Sequence, residues 1–149
     1  MASQMNNRTM GWDVVQGVLL VVHARGAPDT KEWARFIQEC RSLGKVECCL
    51  VVAPDAALNP VQRRDIAAVV SHMKTRKVAV VTTSRMARTI VTGLGWVTGI
   101  HRGFLPGDRQ GAVTFLELDE RRADAVLARA DALADMLGRS ILSATDRAV

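Results

Sequence analysis

An α/β fold is predicted by three observations. The stretch Lys77 to Phe104 reads KVAVVTTSRMARTIVTGLGWVTGIHRGF. Its β-branched Val78, Val80 and Val81 run into a polar corner, Thr82-Thr83-Ser84. Met86, Ile90, Leu94 and Val97 then recur at three- and four-residue spacing, so a buried strand feeds a helix. A second apolar run, Val46 to Ala53, lacks polar alternation, as a strand covered on both faces would. Helix-start signals follow the strand runs, and that alternation is how α/β domains are built.

The chain has 149 residues, enough for one domain with a full core and no need of disulfides or metal. No apolar run in it, Val18 to Val22 included, is long enough to span a bilayer. The start, MASQMNNRTM, lacks the charged-then-apolar layout of a secretory signal, so a cytoplasmic protein is expected.

Taken in order, residues 1–10 are polar and unpatterned and read as a disordered tail. Trp12 to Ala24 reads as a strand, with Gly17 as the point where a short edge strand would break from it. Asp29 is a capping residue with Glu32 three positions on, the spacing of a capping box. The helix that follows carries Trp33, Phe36, Ile37 and Cys40 on its apolar stripe and is expected to end at Gly44. Asn59-Pro60 combines a capping side chain with proline at the first helical position. That helix is expected to bury Ile66, Val69, Val70 and Met73 and to expose Arg64, Ala67, Ala68 and Ser71. After the central strand and helix come a short strand near Ile100 to Leu105, a Pro106-Gly107 turn, and a helix capped by Asp108 that runs to about Leu116. A last helix, Asp119 to Gly138, places Ala123, Val126, Leu127, Ala130, Leu133, Ala134 and Leu137 on one stripe. The organisation is thus a domain over residues 11–118, an additional amphipathic helix over 119–138 and a flexible tail over 139–149. The stripe is expected to pack on the domain's own sheet, with a homodimer as the alternative.

The net charge of +5 is uneven. Residues 1–58 sum to zero and residues 110–149 to −2. Residues 59–109 carry +7, from Arg63, Arg64, Lys74, Arg76, Lys77, Arg85, Arg88, Arg102 and Arg109 against Asp65 and Asp108. An acidic partner or anion is expected to face these central units. Nucleic acid is not favoured, because no aromatics are interleaved for base stacking and no reading motif appears. Cys40, Cys48 and Cys49 have no C-x-x-C spacing and read as small buried hydrophobes, with Cys48 and Cys49 on opposite strand faces.

Over residues 12–118 the order of elements resembles the STAS domain, named for sulfate transporters and anti-sigma-factor antagonists. The local match runs through Val78 to Val81, Ser84, Arg88, Gly93-Leu94, Ile100 to Phe104 and a helix containing Ala112. The resemblance implies a small mixed sheet with helices largely on one face, here with an extra C-terminal helix. A lipid-carrier relative, the Sec14-like fold, is sometimes grouped with it. In the antagonists a phosphorylatable serine opens the helix after the second central strand. This chain has Ala57-Leu58-Asn59-Pro60 there, so the phosphorylation switch is expected to be absent.

For catalysis, His23, His72 and His101 lack metal-ligand spacing and nucleophile motifs around them, and no acid, base or nucleophile can be named. No enzyme activity, cofactor or metal is expected. The corner at the carboxyl end of a strand and the amino end of a helix is the stronger candidate, since helix N–H groups and nearby arginines can hold an anion. The expected anion- or partner-binding set is Thr83, Ser84, Arg85, Arg88, Thr92 and Trp96, together with Arg63 and Arg64. Arg85, Arg88, Thr92 and Trp96 form a stripe opposite Met86, Ile90 and Leu94. Trp96 is read in three ways: folded into the core, covering the last helix, or standing beside the arginines as a hot spot. The leading expectation is a regulatory module that binds a protein through its basic helical face. The rival is a small-ligand or lipid-anion domain using the corner beside Ser84.

Overall fold

The computed structural model describes residues 7–55 and 58–147, with side chains described at all of these but 92, 94–98 and 139–147. Among the described residues five strands form one sheet in the order of the sequence: β1 (Met10–Val15), β2 (Val18–His23), β3 (Cys48–Val52), β4 (Lys77–Val81) and β5 (His101–Phe104). β1 is antiparallel to β2, and β2 to β5 are parallel. The helices are α1 (Thr30–Ser42), α2 (Pro60–Met73), α3 (Arg85–Thr98), α4 (Arg109–Phe115) and α5 (Glu120–Arg147).

The run Trp12 to Ala24 is a hairpin, its short edge strand breaking from the main strand at Gly17 as expected. Gln16 and Gly17 both take positive φ, 52° and 81°, the two-residue turn whose twist matches that of the flanking strands. The described part of the expected N-terminal tail also belongs to the domain. Met10 opens β1, the Ala24 amide donates to the Thr9 carbonyl, and Asn7 is buried.

The sheet separates two cores by strict alternation. Leu19, Val21, Cys49 and Val78 face α1 and α2, where they meet Trp33, Phe36, Ile37, Val69 and Met73. Val18, Leu20, Val22, Cys48, Leu50, Ala79 and Val81 face the other way, toward Ala112, Leu116, Val126, Ala130, Leu133 and Leu137 of the α4–α5 side. The adjacent cysteines therefore do lie on opposite faces, free and buried. The last helix packs on its own sheet and runs past Gly138 to Arg147. Arg122 fixes it to the hairpin by donating to the Gln16 carbonyl at 2.7 Å and pairing with Glu47 at 2.9 Å. Each fully buried aliphatic side chain along α5 contributes roughly 1.5–3 kcal/mol, so packing rather than intrinsic propensity holds the helix.

Asp29 caps α1, its carboxylate accepting from the amides of Lys31 and Glu32 at 3.0 and 3.1 Å. Glu32 does not complete the expected capping box. It is buried and turned toward the N-terminal segment, where its carboxylate accepts from the amides of Arg8 and Thr9 and from the Thr9 hydroxyl at 2.7, 3.1 and 2.8 Å. The Asp29 amide that it would have served donates to Thr9 Oγ1 instead. α1 ends at Leu43 in extended backbone, without a left-handed glycine at Gly44. α2 does begin with a complete box. Asn59 Oδ1 accepts from the Gln62 amide at 2.8 Å and Gln62 Oε1 from the Asn59 amide at 3.1 Å.

Candidate docking surface on the second and third helices

Parallel pairing of β3, β4 and β5 brings their carboxyl ends side by side, and α2 and α3 start there. Three of the expected residues meet at the β4–α3 corner. The Ser84 hydroxyl accepts from the Ala87 amide at 3.1 Å, and its carbonyl accepts from the Arg88 amide at 3.0 Å, so Ser84 caps α3. The Ser84 amide donates to Thr82 Oγ1. Thr83 donates through its hydroxyl to the Pro54 carbonyl and, at 3.0 Å, to the Asp55 carboxylate. Asp55 also pairs with Arg25. The corner thus ties two loops together, and its polar groups already have partners.

α3 is rotated about its axis from the orientation that its apolar stripe predicts. Met86 is 74% exposed and Ile90 51%, whereas Ala87, Arg88 and Val91 are the half-buried residues. The cause is close contact at β5. A Cβ built on Gly103 would lie 3.1 Å from both Cα and Cγ of Arg88. Gly103 alternates with Phe104, which is buried in the α4–α5 core, so α3 crosses the sheet on the α1–α2 side. The helix approaches the strand so closely there that the backbone and stem of Arg88 lie directly against the glycine. Arg88 is therefore not a freely solvated member of a basic stripe, and its Nε is buried with no hydrogen-bond partner among the described residues.

The remaining arginines separate into environments. Arg85, at the first position of α3, is exposed. Arg63 and Arg64, in the first turns of α2, are exposed, and Arg63 Nη1 donates to the Leu58 carbonyl at 3.1 Å. Both carboxylates of residues 59–109 have internal partners. Asp65 accepts from the Trp33 indole at 3.0 Å, and Asp108 caps α4 through the Gly111 amide at 3.1 Å. The cationic side chains of this stretch thus outnumber its available anions. Thr92 and Trp96 lie within α3, with side chains outside the described residues, so the three accounts of Trp96 fall there too.

Sequence reasoning missed Met86 and Ile90 as surface residues. Their spacing was visible, but spacing alone cannot say whether an apolar stripe faces the sheet or solvent.

The other reactive groups lie apart from this surface. Burial pushes the His23 imidazole down to about 4 and lowers that of His101. Burial, with Glu39 adding to it, raises the Cys40 thiol to about 12. Burial raises Cys48 to about 11, Glu47 adding to the rise and Arg122 and Arg76 opposing it, and burial raises Cys49 as well. These thiols stay protonated and unreactive. Among the described residues no group of three or more His, Cys, Asp or Glu is placed to hold a metal ion. A cleft of about 460 Å³ lies elsewhere, lined by Arg8, Asp29, Lys31, Glu32 and Arg35, none of them in the expected set. Among the described residues no helix is long and apolar enough to cross a membrane.

No family model matches the chain, and no curated protein does. A solved structure resembles it: an uncharacterised protein of the DUF3478 family with a SpoIIAA-like fold, from Shewanella loihica PV-4. The TM-score is 0.53 at 13% identity, covering 72% of this chain and 92% of that one. The likeness is one of fold. The chain has a mixed α/β fold like the SpoIIAA-like fold of that structure.

Proposed function

We propose that this STAS-like domain is a non-catalytic regulatory or adaptor module of the cytoplasm that binds a protein partner through the basic face of α2 and α3. One observation carries the reading. Arg64 and Arg85 are exposed and, among the described residues, Arg63 reaches only a backbone carbonyl, while Asp65 and Asp108 are held by Trp33 and by the α4 cap. Such a surplus of cations steers and orients an acidic partner. Asn59 replaces a phosphorylatable hydroxyl and is engaged in a capping box, so control by a phosphoserine at this helix start has no acceptor. The rival reading, a small-ligand or lipid-anion site beside Ser84, has less support. The Thr83 and Ser84 hydroxyls are used within the corner, and the Asp55 carboxylate would repel an anion there.

The test is capture from native extract with the tagged chain, its partners identified by mass spectrometry. Arg63→Glu, Arg64→Glu and Arg85→Glu together should abolish capture of a specific protein, while Arg121→Glu on α5 should leave it intact. Capture indifferent to the triple change, or a melting shift with small anions and no protein captured, would overturn the proposal.

A further inference from the structure

The outward side of α3 says more about that partner than charge does, and the following rests on the reading above. Met86, Ile90 and Gly93 lie four and three residues apart, so they share one row along the helix. All three are exposed, and a Cβ built on Gly93 would meet nothing within 4 Å. Arg85 and Thr89 flank the row on one side and are also exposed. α3 contains no carboxylate.

We infer that the row Met86–Ile90–Gly93 is the seat of an amphipathic helix from the protein partner, apolar along one stripe and acidic beside it. The two larger side chains form a ridge, and the glycine leaves a low point where a second helix can come near. Ridge and gap at helical spacing suit another helix, read by its own apolar residues at three- and four-residue intervals. Arg85, with Arg63 and Arg64 at the neighbouring helix start, supplies the charge that the carboxylates of that helix would meet. A second copy of this chain is a poorer occupant, because its α3 brings no carboxylate to meet Arg85. A bilayer is also poorer. A helix lying at an interface needs a broad apolar face, and here Thr89 and Gly93 interrupt it.

The experiment places a photo-reactive benzoylphenylalanine at position 90 of the full chain, and at position 121 as a control, irradiates native extract and sequences the cross-linked peptide. The expected result is a cross-link from position 90 alone. The peptide should carry apolar residues at three- and four-residue intervals with Asp or Glu between them. A synthetic copy of that peptide should bind the wild-type chain, and Met86→Glu or Gly93→Leu should weaken binding more than about tenfold. Both variants alter exposed positions, and an unchanged melting temperature verifies that each is folded. The inference is overturned if the triple arginine change abolishes capture of a partner that position 90 never cross-links; the protein-binding reading then survives alone. It is also overturned by a cross-linked peptide that is basic or lacks helical spacing, by a cross-link to a second copy of this chain, or by sedimentation with phosphatidylserine vesicles that Met86→Glu abolishes. If neither capture nor cross-link is obtained, both readings fall.

Discussion

Gly103 of β5 lies directly beneath Arg88 of α3, so close that a Cβ on the glycine would stand 3.1 Å from Cα and Cγ of the arginine. This contact sets the rotation of α3 and thereby decides which residues of the helix face solvent. Gly103→Ala should cost on the order of 1–3 kcal/mol by overpacking, measured by urea denaturation. Because Cγ contributes to the clash, the cost should shrink in an Arg88→Ala background but not vanish, since Cα stays in place. An unchanged cost in both backgrounds would show that the contact does not seat the helix.

The α2 cap makes a separate claim. Asn59→Ala should cost about 1 kcal/mol, and Asn59→Asp should be tolerated because negative charge suits a helix start. Gln62→Ala should be the more harmful change, since the buried Gln62 amide also donates to the Pro28 carbonyl at 3.2 Å. Thermal melts of the three variants rank them. A kinase found to modify residues 58–64 and to release a partner would contradict the absence of a switch.

His23 predicts a pH dependence. Its ring is buried with Nδ1 lacking a partner among the described residues, and burial lowers it from 6.5 to about 4. As pH falls through 6.5 the unfolded chain takes up a proton that the folded chain refuses until about pH 4. Stability is therefore fully present above the unfolded value and is lost progressively below it, by up to about 3 kcal/mol. Urea midpoints at pH 7 and pH 4.5 measure the slope, and His23→Leu should flatten it. An equal slope in that variant would assign the acid sensitivity to other groups.

Glu32 holds the N-terminal segment on α1. Glu32→Ala removes the acceptor of three hydrogen bonds and leaves the Arg8 and Thr9 amides without their partner. A loss of roughly 1.5–3 kcal/mol is expected, together with faster hydrogen exchange at those two amides. Glu32→Gln, which keeps one carbonyl oxygen as an acceptor, should fall between. Unchanged exchange in both variants would show that the carboxylate does not anchor the segment.

α5 closes one whole core, so a chain ending at Leu118 would expose Val18, Leu20, Val22 and Leu50. It should be unfolded or insoluble. Leu133→Ala in the full chain should cost roughly 2–5 kcal/mol, read by denaturation. A clean, folded monomer from the truncation would mean instead that the helix serves self-association.

Local chemistry made much of this protein legible from sequence. Asp29, Asn59 and Asp108 cap helices because a short acceptor side chain satisfies the free amides of the adjoining turn, a matter of three or four residues. Cys48 and Cys49 lie on opposite faces because strand geometry alternates, and the α5 stripe, all but the exposed Ala134, is covered because an amphipathic helix needs a surface. What the sequence left open was every choice between two partners distant in the chain. Glu32 could serve Asp29 or the Thr9 segment, and the fold brings Thr9 within reach when β1 pairs with β2. β1 folds back on β2 at Gln16-Gly17, and only the folded chain shows that this lays the Trp12 ring 5.4 Å from that of Phe36. The orientation of α3 depended on a glycine fifteen residues beyond Arg88, in another strand. Periodicity tells that a helix has two unlike sides. Which side meets the sheet is decided by the shape it must fit, and that shape exists only in the folded chain.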